Sequence, residues 1–152
     1  MHRDFLAFAV KVEYAHLVVL QKHLEVIWCH LHGILCAGRR NSNETQSERA
    51  EAERYGVEVI DMRAWVAGRR PTLREPVYVS IDLDAFDPAF APGVSHREPG
   101  GLTAREVLTV LHRVSVPLVG ADIVEFNPAQ DPSGMTATLC AKLVKEVAGR
   151  MT

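Results

Sequence analysis

From Val77 to Leu83, the apolar residues Val77, Val79, Ile81 and Leu83 alternate with Tyr78, Ser80 and Asp82, and the polar series runs on to Asp84. A period of two sustained this long predicts a β-strand and is the firmest pattern in the chain. The residues beyond it narrow the fold further. A loop dense in Pro and Gly leads to Thr103 and Glu106, whose T-x-x-E spacing predicts a capping box at the start of a helix. That helix carries Val107, Leu108, Val110, Leu111 and Val114 on its buried side. Leu118 to Ile123 reads as the next strand, closed by Glu125 and the Asn127-Pro128 stop. A last helix, from about Ser133, spaces Met135, Leu139, Leu143 and Val147 by four.

Upstream, Ile34 to Gly38 is a short apolar run ending in Gly, which reads as a buried strand. Asn43, with Gln46 three residues on, is a candidate helix cap, and Gly56 stops that helix after Tyr55. Val57 to Ile60 reads as another strand, and the Arg-rich stretch Arg63 to Glu75 as a loop or irregular helix with a solvated face. Strands alternating with amphipathic helices predict an α/β fold with a mostly parallel sheet. In such sheets function collects beyond the carboxyl ends of the strands, and Asp82, Asp84 and Glu125 all fall there.

A chain of 152 residues is one domain's worth, and its formal net charge of −2 exerts no long-range pull on nucleic acid or an anionic membrane. Phe5 to Trp28 is apolar, but Lys11, Glu13, His16, Lys22, His23 and Glu25 break it. It lacks the run of about 18 apolar residues that a membrane span needs, and the pattern of a signal peptide. Cys29, Cys36 and Cys140 form no CxxC pair, which fits an intracellular, reducing compartment. His16 and His23 are seven apart, so a helix would put them on one face, but no acidic or Cys partner lies at ligand spacing. They read as surface histidines.

The chemistry concentrates on the aspartates. Asp82 and Asp84 at i and i+2 of one strand would face the same side, with backbones roughly 7 Å apart. Two such carboxylates repel when sheltered from water, and a divalent cation relieves the conflict; hard oxygen ligands suit Mg, Ca or Mn. The alternative is that one of them only caps the loop through an Asx-turn. Asp87, placed before Pro88, reads as loop-forming and not as a ligand. His96, Arg97 and Glu98 lie in the loop and could face a substrate, though spacing alone favours exposure.

Three long motifs in order carry a family resemblance: SIDLDAFDPAFAPGVSHREPGGLT, VGADIVEFNPAQD and GMTATLCAKLV. Together they resemble the C-terminal half of a ureohydrolase, the arginase/agmatinase family, and the SHREPGGL loop is most like plant-type arginases. The resemblance covers residues 34–152, leaving 1–33 as an unassigned N-terminal segment. It implies a three-layer α/β/α sandwich and a site for two manganese ions. Asp82 would be the carboxylate that bridges both ions, and Asp84 a terminal ligand of one. Glu125 would pair with the substrate guanidinium, and His96 would stand beside the substrate, so Asp82, Glu125 and His96 are the candidate catalytic residues.

The implied reaction is manganese-dependent hydrolysis of a small guanidino substrate, L-arginine to ornithine and urea, with agmatine to putrescine and urea as the alternative. The family's GGDHS-type and DAHxD-type motifs, which supply the remaining ligands, do not occur in this sequence. The expectation is therefore a fold missing its N-terminal half, and a third reading is a truncated, non-catalytic relative. The resemblance further implies a homo-oligomer (trimer or hexamer), a cytoplasmic or mitochondrial location, and no nucleic-acid or membrane partner.

Overall fold

A computed structural model describes the backbone of residues 26–30, 33–39, 57–73 and 76–151, and side chains from Glu58 onward within those ranges. Five strands form one sheet: β1 (Val26–His30), β2 (Gly33–Arg39), β3 (Val57–Asp61), β4 (Val77–Asp82) and β5 (Leu118–Val124), in the order β3-β2-β1-β4-β5. The helices are α1 (Met62–Val66), α2 (Ala104–Arg113) and α3 (Met135–Ala148). The expected helix from Asn43 to Tyr55, and His16 and His23, lie outside the described residues.

The β2–β3 and β4–β5 pairs are parallel, as the strand–helix alternation predicts. The strand between them is the departure. β1 lies antiparallel to both β2 and β4, within a segment that sequence reading leaves unassigned. Only two residues separate β1 from β2, and so short a link joins antiparallel strands, whereas a parallel pair needs a long crossover.

Pattern and structure agree most closely in β4. Val77, Val79 and Ile81 are fully buried, but Ser80 and Asp82 are buried as well, so the strand is covered on both faces. The strand ends at Asp82, one residue before the expected Leu83, because the chain turns there into a 3₁₀ turn, Leu83–Ala85. The α2 capping box forms as expected: the Thr103 hydroxyl accepts from the Glu106 N–H, and the Glu106 carboxylate accepts from the Thr103 N–H. Burial pushes the Glu106 carboxyl up, but its bonds from Thr103 and from the Trp65 indole at 2.8 Å hold it below its ordinary value.

Val107, Leu108, Val110 and Leu111 of α2 join Leu139, Leu143 and Val147 of α3, with Trp65 and Phe86, in one apolar core. Met135 is 50% exposed although it fits the spacing by four; Thr136 takes the buried place in the first turn. The helix starts after Gly134, whose φ of +69° is a conformation glycine adopts without strain. The Arg-rich stretch contains α1, after which Arg70 stacks on the Trp65 ring at 4.1 Å and Arg69 pairs with Glu58.

Candidate metal and substrate site

At the carboxyl end of β4 the Asp82 side chain accepts the Asp84 N–H at 2.8 Å. This bond caps the 3₁₀ turn, so Asp84 leaves the strand and its carboxylate is aimed by the turn, not by the pleat. The expected pair on one strand face is thus corrected. Asp82 does what the Asx-turn alternative describes, yet both aspartates stay buried at 7% exposure.

Asp84 is unusual for a buried carboxylate. Its Oδ2 lies 3.2 Å from His96 Nδ1, while its Oδ1 is buried without a hydrogen-bond partner. Buried polar atoms are nearly always paired, and an unmet acceptor costs about 1–3 kcal/mol. Such an atom can accept from a donor or coordinate a cation.

Glu125 follows β5 directly, is exposed, and adopts φ +65°, which makes it the one non-glycine residue of positive φ among those described. For a residue with a Cβ this left-handed conformation costs about 1–2 kcal/mol, and such strain clusters at functional sites. Ligand atoms of Asp84, His96 and Glu125 all lie within 4.8 Å of one another. Donors around one ion at about 2.0–2.6 Å can stand up to roughly 5 Å apart, so a single cation can reach all three. Two carboxylate oxygens and one imidazole nitrogen suit Mn-like ions better than soft metals, and the orphaned Asp84 oxygen fits the same demand. Asp82 is not a member of this group.

The loops are built to hold this geometry. Asp87 accepts from the Ala89 and Gly100 N–H groups at 2.9 and 2.8 Å, so it organises the loop as expected. The base of the loop closes through Asp87 N–H to Leu102 O and Leu102 N–H to Ala85 O. Gly101 permits that closure, since a Cβ there would sit 2.6 Å from the Ala85 carbonyl oxygen. At the far side, Gly93 N–H donates to Thr136 Oγ1 at 2.7 Å, and a Cβ on Gly93 would lie 2.5 Å from the Asp131 Cβ. Asp131 in turn accepts from the Thr136 and Ala137 N–H groups at the start of α3. Its desolvation acts upward, but these backbone donors leave its carboxyl below the ordinary value.

Two groups of residues escaped sequence reading. Tyr78 and Ser80 both donate to Asp122, at 2.9 and 2.5 Å, across the β4–β5 pair. The signal was present: polar residues at alternate positions of β4 demand a partner on the neighbouring strand, and Ser80 is in register with Asp122. The second group is Ser95, Asn127 and Gln130, which link the His96 loop to the Glu125 loop over 32 to 33 residues of sequence. Arg97 belongs to that linkage and turns back onto the protein.

The sequence profile of the arginase family matches residues 2–149, including the segment left unassigned. The mitochondrial arginase 1 of Arabidopsis thaliana is 48% identical over 128 residues, 78% of this chain and 36% of the relative. The agmatinase of Bacillus subtilis is 31% identical over 137 residues, 88% of this chain and 47% of that protein. Among solved structures, the arginase from Medicago truncatula superposes with a TM-score of 0.64 at 41% identity, covering 72% of this chain and 37% of that one. A triple mutant of the T. brucei arginase-like protein, bound with Mn2+, gives a TM-score of 0.70 at 29% identity, covering 80% and 43%. The chain thus spans between a third and a half of the length of these relatives. Its fold is a partial α/β fold of the arginase type, and the chain belongs to the arginase family.

Proposed function

We propose that the chain carries the carboxylate half of a manganese-dependent ureohydrolase site, acting on a guanidino substrate and releasing urea. The observation that carries this reading is the buried, unpartnered Asp84 oxygen at the strand end, in a group that includes His96 and Glu125. Asp82 and Asp84 would hold manganese. The ion, when bound, supplies the Lewis acidity that makes a water nucleophilic at neutral pH. Glu125 pairs with the planar guanidinium, a charge-assisted geometry that carboxylates favour, and its exposure at the strand end leaves it open to substrate. His96 stands beside the substrate and orients it against Asp84.

L-arginine, giving ornithine and urea, is the favoured substrate, supported by 48% identity to a plant arginase against 31% to an agmatinase. The same relative's name supports a mitochondrial location, and no helix among the described residues is long and apolar enough to cross a membrane. We read the assembly as a homo-oligomer, trimer or hexamer. A second reading, agmatine to putrescine and urea, is supported by the 31% identity to an agmatinase.

Urea release from arginine and from agmatine, with and without MnCl2, tests both. Urea formed from arginine only with manganese supports the hydrolase. No urea from either substrate, with manganese bound in calorimetry, contradicts both substrate readings and leaves the metal site standing. No heat of manganese binding sinks the metal site in both.

A further inference from the structure

We propose that Arg97 and Asn127 form a two-point brace that sets His96 against Asp84 and Glu125, and so act as positioning residues and not as substrate contacts. This rests on the proposed reading of Asp84 as a manganese ligand, with His96 hydrogen-bonded to its carboxylate. The His96 side chain is 83% exposed, so packing does little to fix it. Its Nδ1 meets Asp84 Oδ2 at 3.2 Å, and the backbone on either side carries the ring there.

Both neighbours of His96 are tied to the loop that begins at Glu125. On one side the Ser95 hydroxyl accepts from Asn127 Nδ2 at 3.0 Å. Asn127 Oδ1 accepts the Ala129 N–H at 3.1 Å, which identifies the other amide atom as the donor. The Asn127 N–H also donates to Gly93 O at 2.8 Å. On the other side Arg97 Nη2 donates to the main-chain oxygen and to Oε1 of Gln130, each at 2.9 Å, while Nε donates to Pro92 O at 2.7 Å. A planar guanidinium reaches three acceptors in a fixed fork, which an ammonium cannot reproduce. Two of its nitrogens are thereby spent on the protein and not left for a substrate carboxylate. The brace also anchors Asn127, two residues after the strained Glu125 backbone.

The test has two arms. In metal-free protein, ¹⁵N relaxation of residues 94–98 should give order parameters near 0.85, falling below about 0.6 in Arg97→Ala and in Asn127→Ala. Arg97→Lys should be nearly as loose as Arg97→Ala. Gln130→Ala, which deletes a single acceptor on the opposite loop, should show a smaller drop. In the second arm, MnCl2 should broaden the His96 ring protons of the wild-type chain, and each of the first three variants should weaken manganese binding about 10- to 100-fold. Thermal midpoints near the wild-type value would separate this from general unfolding. Wild-type order and wild-type manganese affinity in Arg97→Ala and Asn127→Ala would overturn the brace, as would full order in Arg97→Lys. Absence of any manganese effect on the wild type would overturn the cation reading instead, and the metal-free arm would still decide the brace.

Discussion

Two aspartates on neighbouring strands mark the contrast between the middle of this sheet and its carboxyl end. Asp122 sits within β5 with both oxygens engaged, one by Tyr78 and the other by Ser80. Asp84, just past the end of β4, is more deeply buried, yet keeps one oxygen without a partner and shares the other with an exposed histidine. The first arrangement is a closed polar network, which rigidifies the β4–β5 pair. The second leaves an acceptor unmet, which favours the approach of a donor or a cation. Burial by itself does not distinguish a structural carboxylate from a functional one; the state of its oxygens does.

The sharpest way to break that contrast is to neutralise each aspartate and read both affinity and stability. Asp84→Asn should lower Mn2+ affinity by at least about tenfold, since even residues supporting a metal ligand typically cost 10- to 100-fold. Chemical denaturation of the same variant should show no loss of stability, because no satisfied bond on Oδ1 is removed. Asp122→Ala should do the reverse. It strands the Tyr78 and Ser80 hydroxyls and should cost about 1–3 kcal/mol, with Mn2+ affinity unchanged. Equal stability losses in the two variants would erase the distinction.

A smaller effect comes from the helical face, well away from the strand ends. Hydrogen bonds from Lys142 and His112 hold the Glu146 carboxyl down at about 2. A carboxyl depressed in the folded state stabilises above its unfolded value, and that gain is lost as pH falls. The stability difference between the wild-type chain and Glu146→Gln should therefore persist above pH 4.5, then shrink to nothing as pH drops toward 2. A difference that stays constant down to pH 2 would contradict the assignment. Mn2+ affinity should be the same in both proteins at neutral pH.

Much of the frame was legible because its signals are local. The period of two in β4, the Thr103–Glu106 box and the apolar stripe of α2 each span a few residues and form as expected, except that the strand stops at Asp82 and Val114 falls at the cap just past the helix. Asp87 was legible for the same reason, as an Asp-Pro turn. Asp82, Asp84 and Glu125 fall at strand ends as the alternation implies, but their geometry does not follow from spacing. One hydrogen bond from Asp84 N–H to Asp82 turns the chain out of the strand and separates the two roles. Met135 fits the helical spacing yet is exposed, because Asp131 receives the N–H groups of Thr136 and Ala137 and seats that turn with Thr136 inward. The links between Ser95 and Asn127, and between Arg97 and Gln130, join polar residues far apart in sequence, and no periodicity announces such pairs.

Asp84 and its neighbours are, on this reading, assembled to receive a cation. Electron paramagnetic resonance of MnCl2 mixed with an excess of the chain tests this directly, since free aqueous Mn2+ gives a sharp six-line spectrum that binding broadens. The predicted result is loss of the free-ion signal with the wild-type chain and its return with Asp84→Asn. A full free-ion spectrum with the wild-type chain, or equal loss with Asp84→Asn, would contradict it.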